Sequence, residues 1–496
     1  MKDNTNNRIN IVSALFLQIV TMLSGLILPR LILQYFGSEI NGMVSSITQL
    51  LSFISLLEGG LGAVVLTELY KPIEDRDDVK VNSILNACQS FFTKLSIVYI
   101  IYTVIMGLVY VLFVENSYSP AFTCTLVYIL SFSTLIQYVF SITSKLLLQA
   151  QQRIYIVNLV SAGTVIANLA ISVVLIHIYP DIQMIKLGSA VTFLVQPIIY
   201  NRVIQAKFKG KLRAQAPRGY KLENRWNGFA QNLAHFVSLN SAVTIITVFL
   251  TLEDVSVFSV YMLAISAIRL LISSATNSYQ SALGMYYARN DREQLRNSFD
   301  SYDKMNAMMS VVLFGTCLLL INPFIQLYTA GINDANYYQP LFAMVIVIAN
   351  LLYCMREPYR LLVLAAGKFK ETNKGAIIES VLNLVVSSCL VFKFGLLGVA
   401  IGNLVATAYR FVYFIVFLQK SVLFKKIKDY AEVAIKFAIM LAVNIALYFV
   451  LEITLEGYLD FFIHGVLILI VELVLSYILF YKVRLNGTFR NKNKQA

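Results

Sequence analysis

Apolar runs long enough to cross a bilayer recur fourteen times along this chain of 496 residues, and little else is left over. They fall at roughly 9–33, 41–66, 84–113, 121–144, 155–178 and 182–201, then at 229–250, 255–286, 304–328, 337–364, 375–394, 396–418, 430–451 and 459–481. A span needs ~20 apolar residues, and only helices or closed barrels satisfy their backbone in lipid. Runs of this length predict an all-α integral membrane protein. Composition agrees: 58% of residues are hydrophobic and 14% charged, against about 25% charged in soluble domains. The first run lacks a small-residue cleavage site and is too long for a signal-peptide core, so it reads as a retained span.

Topology follows from where the basic residues fall. The N-terminus, the tail and alternate connections hold 31 of the 40 Lys and Arg, whereas the other seven connections hold only Lys393. Cytoplasmic loops are enriched in Lys and Arg, so both termini are expected in the cytoplasm and the net charge of +13 is not a nucleic-acid footprint. Eight basic residues remain within or at the edges of spans: Arg30, Lys94, Lys186, Arg269, Arg356, Arg360, Arg410 and Lys436.

Little points to catalysis. Five scattered cysteines form no C-x-x-C pair, and the three histidines stand apart from other ligands, so no metal site is expected. There is no phosphate-binding G-x-x-x-x-G-K-[ST] loop. Asp75-Arg76-Asp77 reads as part of a solvated loop. The outward connections are too short to house a catalytic domain. An enzyme is not expected.

An internal repeat organises the spans. Asn168-Leu169-Ala170-Ile171-Ser172 reappears as Asn383-Leu384-Val385-Val386-Ser387, and Leu187-Gly188 as Ile401-Gly402, at an offset near 214 residues. Two parallel six-helix lobes around a central cavity are expected. The N-terminal lobe is placed at 1–206, a basic cytoplasmic linker at 207–227, the C-terminal lobe at 228–420, and two extra spans with a basic tail at 421–496.

Polar residues inside spans are costly unless they face a bundle interior or a wet cavity. In span eight Ser266, Arg269, Ser273, Asn277 and Gln280 recur at helical spacing and form one stripe. Gln49 in span two and Gln137 in span four sit in similar stripes, although small polar residues also serve plain helix packing. Depth ranks the cations. Lys94 lies ~16 Å into its span, and Arg269 and Arg410 ~22 Å from their outer ends, all near the midplane. Arg356 lies in the inner third and Arg30 nearer the outer face. Glu58, Glu357 and Glu472 are carboxylates suited either to coupling or to ion pairs; Glu357 and Arg360, three residues apart, can pair along a helix. Pro358 frees a backbone carbonyl in that helix. Deep cations outnumber deep carboxylates.

The segments Leu28-Pro29-Arg30-Leu31-Ile32-Leu33-Gln34-Tyr35-Phe36-Gly37, Leu56-Leu57-Glu58-Gly59-Gly60-Leu61-Gly62, Ala365-Ala366-Gly367-Lys368 and Phe394-Gly395-Leu396-Leu397-Gly398 resemble the polysaccharide transporters of the multidrug, oligosaccharidyl-lipid and polysaccharide exporter superfamily. The likeness is greatest to Wzx-type flippases and covers nearly the whole chain. It implies a V-shaped transporter of the bacterial cytoplasmic membrane with a cationic cavity, rocking between inward-open and outward-open states. The implied cargo is an undecaprenyl-diphosphate-linked oligosaccharide for capsule or O-antigen-like polymer. Arg269 would bind the diphosphate, with Lys94, Arg410, Arg356 and Arg30 as further cavity cations. Ser266, Ser273, Asn277, Gln280, Gln49 and Gln137 would line the path. Coupling to H+ or Na+ is expected and no other cofactor; partners would be membrane lipids and a polysaccharide polymerase with its assembly proteins. The rival readings are an ion-coupled antiporter of small organic cations and an integral membrane enzyme acting on lipid-linked sugars.

Overall fold

The structure is a computed structural model and describes residues 2–58, 60–208, 220, 229–368, 370–424, 428–451, 453 and 455–482. Every regular element among them is helical: α1 (Lys2–Leu51), α2 (Leu61–Glu74), α3 (Asp78–Phe113), α4 (Pro120–Ile136), α5 (Ile142–Ala150), α6 (Ile154–Ile178), α7 (Ile182–Thr192), α8 (Val195–Phe208), α9 (Phe229–Phe249), α10 (Leu252–Ala288), α11 (Arg292–Tyr328), α12 (Pro340–Met355), α13 (Glu357–Ala365), α14 (Asn373–Phe394), α15 (Leu396–Leu418), α16 (Lys428–Val450) and α17 (Tyr458–Tyr477). Among the described residues twelve segments are long and apolar enough to cross a membrane. The difference from fourteen lies in two places. Arg8–Glu58 is one segment of 51 residues that holds the first expected span and the second as far as 58, where the helix expected to continue to 66 stops and restarts at Leu61; it breaks at Gly37, whose φ of 80° and ψ of −179° belong to a region essentially restricted to glycine. In the seventh, only Asn240–Phe249 counts as apolar helix, too short for a span.

The chain forms two compact units, one of Met1–Leu233 with Thr251–Ser256, the other of Ala234–Leu250 with Val257–Ala496. The terminal pair α16 and α17 thus belongs to the second unit, and the short stretch Thr251–Ser256, assigned to the second lobe by sequence, joins the first. Its attachment is specific. Asn41 donates a buried hydrogen bond of 2.8 Å to the Ser256 hydroxyl, and Gly42 lets the chain come so close that a Cβ there would lie 1.7 Å from the Leu252 carbonyl oxygen. The basic linker expected at 207–227 lies almost entirely outside the described residues.

In the first unit the core gathers Val65, Leu69, Phe92, Tyr99 and Leu126 from α2, α3 and α4. In the second, α11 is central: Val311, Val312, Phe314, Leu318, Leu319 and Ile321 are buried on successive faces, as befits a helix apolar all round. It packs against α12, α16 and α17. The α17 face bearing Leu459, Phe462, Ile463, Ile470 and Val474 is exposed and suited to lipid tails.

The repeat has a structural counterpart in each unit. In the α6–α7 hairpin Asn168 Oδ1 accepts from the Ser172 hydroxyl at 3.4 Å and from Ser189. In the α14–α15 hairpin Asn383 Oδ1 accepts from the Ser387 hydroxyl at 3.2 Å, and that hydroxyl also donates to the Val399 carbonyl at 3.3 Å. The matching glycines hold the helices close. A Cβ on Gly188 would lie 2.7 Å from Leu175, and one on Gly402 would lie 2.1 Å from Ser387 Oγ.

Candidate functional site

The densest group of charges in the second unit is built where the tenth expected span breaks. Pro358 has no N–H to give the Cys354 carbonyl one turn back, and the helix divides at Arg356 into α12 and α13. Asn306 of α11 supplies the missing donor, its amide reaching the Cys354 carbonyl at 3.0 Å. The carbonyl freed by Pro358 is therefore satisfied from a neighbouring helix, and the break holds a fixed shape.

Three arginines converge on this break. Arg356, only 2% exposed, forms an ion pair and hydrogen bond with Glu379 of α14. Arg410 of α15 shares the same carboxylate at 3.4 Å, donates to the Thr372 carbonyl at 3.0 Å and lies over the Phe414 ring at 4.1 Å. Gly375 makes the room: a Cβ there would come within 2.4 Å of the Arg410 guanidinium. One buried carboxylate between two buried guanidiniums leaves a surplus positive charge. Arg360, partly exposed, pairs with Glu357 at 2.8 Å, the contact their three-residue spacing predicts. Tyr359 donates to Asp303 at 3.0 Å.

Arg269 of α10 is different. Its guanidinium lies over the Tyr353 ring at 4.1 Å, the ring over which Arg356 also lies at 4.4 Å, and it donates to Asn350 Oδ1 at 3.3 Å. A cation over an aromatic face gains roughly 0.5–2 kcal/mol. Among the described residues no carboxylate forms a salt bridge with Arg269, and it is only half-buried. The arrangement holds the plane of the guanidinium against Tyr353 and Asn350. On the same stripe Ser266 and Gln280 are exposed and Ser273 half-buried, while Asn277 lies outside the described side chains.

The other expected residues lie in the first unit, save Glu472. Gln49 donates to the Ser52 hydroxyl at 3.2 Å at the start of a stretch where the helix tightens and then restarts past Gly60, a left-handed position with φ 80°. Glu58 within that stretch accepts a hydrogen bond from Tyr138. Tyr138 lies in a widened turn, Gln137–Ser141, of the kind often found at functional sites. Gln137 accepts from Lys145 at 3.4 Å, and Gln89 donates to the Val139 carbonyl of the same turn at 2.8 Å. Arg30 is half-buried beside Pro29. Lys94 is exposed, on a stripe of α3 with Ile97, Ile101 and Ile105. The five cations are thus placed differently: Arg269 and Arg356 share Tyr353, Arg356 and Arg410 share Glu379, and Arg30 and Lys94 belong to the other unit. Among the described residues no group of His, Cys, Asp and Glu is disposed to hold a metal ion.

The structure of "Lipid II flippase MurJ, inward closed conformation" superposes on this one with a TM-score of 0.70 at 16% identity, over 95% of this chain and 98% of that one. The two chains share one fold over nearly their whole lengths. Two multidrug MATE transporters of that fold also match, one inward-facing and the other DinF-BH in a ligand complex, each with a TM-score of 0.59 at 14% identity. They cover 81% and 85% of this chain and 96% of theirs. No family model matches the chain, and no curated protein matches it in sequence. Two lobes of helices, about fourteen in all, is the architecture expected above, and the fold shared with MurJ and the MATE transporters has it.

Proposed function

We propose that this protein is a flippase that carries an undecaprenyl-diphosphate-linked oligosaccharide repeat unit from the inner to the outer leaflet of a bacterial cytoplasmic membrane, for surface polysaccharide, by alternating access. The observation that carries the reading is Arg269: a guanidinium within a span, held by Tyr353 and Asn350, with no salt bridge to a carboxylate among the described residues. Such a charge is costly in lipid unless an anion completes it, and Arg matches phosphate oxygens bidentately. A site for organic cations would be expected to carry the opposite charge. Arg356 and Arg410, bound to Glu379, would maintain the positive field behind Arg269. Arg30 and Lys94 are assigned to later contacts along the path, with Gln49, Gln137, Ser266, Ser273 and Gln280 as partners for sugar hydroxyls. Both termini would face the cytoplasm, a proton or sodium gradient would drive the cycle, and a polymerase would receive the product.

The test is surface polymer in strains carrying Arg269→Glu and Arg269→Lys. Charge reversal is expected to abolish polymer with normal membrane insertion, and lysine to retain part of it. Normal polymer in the Glu strain would overturn the reading; wild-type polymer together with hypersensitivity to cationic drugs in a deletion strain would favour the drug antiporter.

A further inference from the structure

A second polar site lies in the terminal helix pair, away from the arginines. Glu472 of α17 is 2% exposed and so is Asn444 of α16; both pack on α11 at Gly315. A Cβ on Gly315 would lie 2.5 Å from Asn444 Nδ2 and 3.0 Å from Glu472 Oε2, so glycine is what admits the two polar groups to the helix surface. The Asn444 amide hydrogen bonds the carboxyl. Glu472 Oε2 and Asn444 Oδ1 have no hydrogen-bond partner, and no cation among the described residues lies within ion-pair distance of Glu472. A cavity of about 10 Å³ is bounded by Gly315 and Asn444 and otherwise by apolar side chains such as Phe314, Leu318 and Leu441, a lining that offers no counter-charge to the carboxyl.

An ionised carboxylate buried without a counter-charge is too costly to keep and is neutralised instead. The other charged and titratable groups on the helices around it are remote or already engaged. Lys436 of α16 is eight residues from Asn444, ~12 Å along the helix, and donates to the Phe480 carbonyl at 3.5 Å. Lys304 of α11 lies over the Tyr481 ring at 3.8 Å, His464 of α17 pairs with Asp460 at 2.9 Å, Tyr448 of α16 donates to Pro340 at 2.7 Å, and Cys317 of α11 is a buried free thiol. A metal cation would need a cage of oxygens, whereas two unpartnered acceptors in an apolar wall offer too few. One proton on Oε2 removes the charge and turns the orphan acceptor into a donor.

We infer that Glu472, seated against Asn444 and Gly315, is a proton-binding site of the terminal helix pair. The carboxyl is neutral in the conformation described, with its proton held on Oε2. The inference deepens the transport reading by locating where a proton from the driving gradient is held, and rests on that reading only for the proton's use.

The test needs no cargo. Full-length protein in lipid nanodiscs is followed by infrared difference spectroscopy at neutral pH, where exposed carboxyls are ionised. The wild type is expected to show a carboxylic C=O band that is lost in Glu472→Gln and unchanged when choline chloride is replaced by sodium chloride. Because glutamine mimics the neutral acid, that variant is expected to melt at the wild-type temperature, with Glu472→Asp as a second variant that retains the band at a shifted frequency. A spectrum without the band, a band abolished by sodium, or a Glu472→Gln protein that fails to fold would each overturn the proposal. None of these outcomes depends on whether Arg269 binds a diphosphate.

Discussion

Replacing Glu379 by Gln removes the carboxylate bound to both Arg356 and Arg410 while keeping its shape. Arg356 and Arg410 are 2% and 3% exposed, so neither can turn to water for compensation. Breaking a buried pair by removing one partner costs ~3–5 kcal/mol, and here two cations are stranded, so the upper half of that range is expected. The site carries its own reporter, since Cys354 is buried within it next to the carbonyl that Asn306 binds. In a background where Cys354 is the sole cysteine, the rate of thiol labelling tracks the population of the opened form when reclosing is fast. A loss of ~4 kcal/mol then accelerates labelling roughly 10³-fold, at a factor of ten per ~1.4 kcal/mol. Adding Arg410→Met to Glu379→Gln leaves one stranded cation, not two, and is expected to recover at least a tenfold part of the loss. The exposed pair Lys368–Glu371 is the control: Glu371→Gln should leave the rate unchanged, as surface pairs contribute little. An acceleration below about tenfold in Glu379→Gln, or a double variant labelled faster than the single one, would refute the account of a carboxylate holding two arginines together.

Asn306→Leu leaves the Cys354 carbonyl without a donor and is expected to cost ~1–3 kcal/mol; adding Pro358→Ala, which restores an N–H to α13, should return most of that stability in the same labelling assay. Gly402→Ala drives a Cβ into the Ser387 backbone, 2.6 Å from its nitrogen, and is expected to lose ~1–3 kcal/mol through overpacking. Gly163→Ala, with nothing within 4 Å of its new carbon, should melt no lower than wild type.

The helical architecture was legible because a bilayer leaves a chain few choices, and runs of twenty apolar residues declare themselves. The Glu357–Arg360 pair and the carbonyl freed by Pro358 were legible for a similar reason, being fixed by spacing within one helix. What sequence could not supply was the direction in which a deep cation points. Depth along the axis treats Lys94, Arg269 and Arg410 alike, yet Lys94 is exposed among isoleucines, Arg410 is sealed under Glu379, and Arg269 is half-open on Tyr353. Those differences depend on which face of one helix meets which face of another. The donor from Asn306 and the space left by Gly375 were equally hidden, since each is meaningful only beside a residue dozens of positions away. The break at Gly37 falls in the short polar connection between the first two expected spans, so its place was legible while its backbone conformation was not.

The Asn–Ser–Gly contacts of the two repeated hairpins bear on how such a chain is assembled. Ser189 reaches Asn168 across 21 residues, and Ser387 reaches Val399 across 12. Loops this short are cheap to close, and the partners leave the ribosome within seconds of one another. Each hairpin can therefore lock while it is still in the insertion machinery, before the rest of its unit has been made. A polar side chain that would otherwise meet lipid alone enters the membrane already satisfied by its neighbour. The same latch stands in both units, so each has a local starting point for folding.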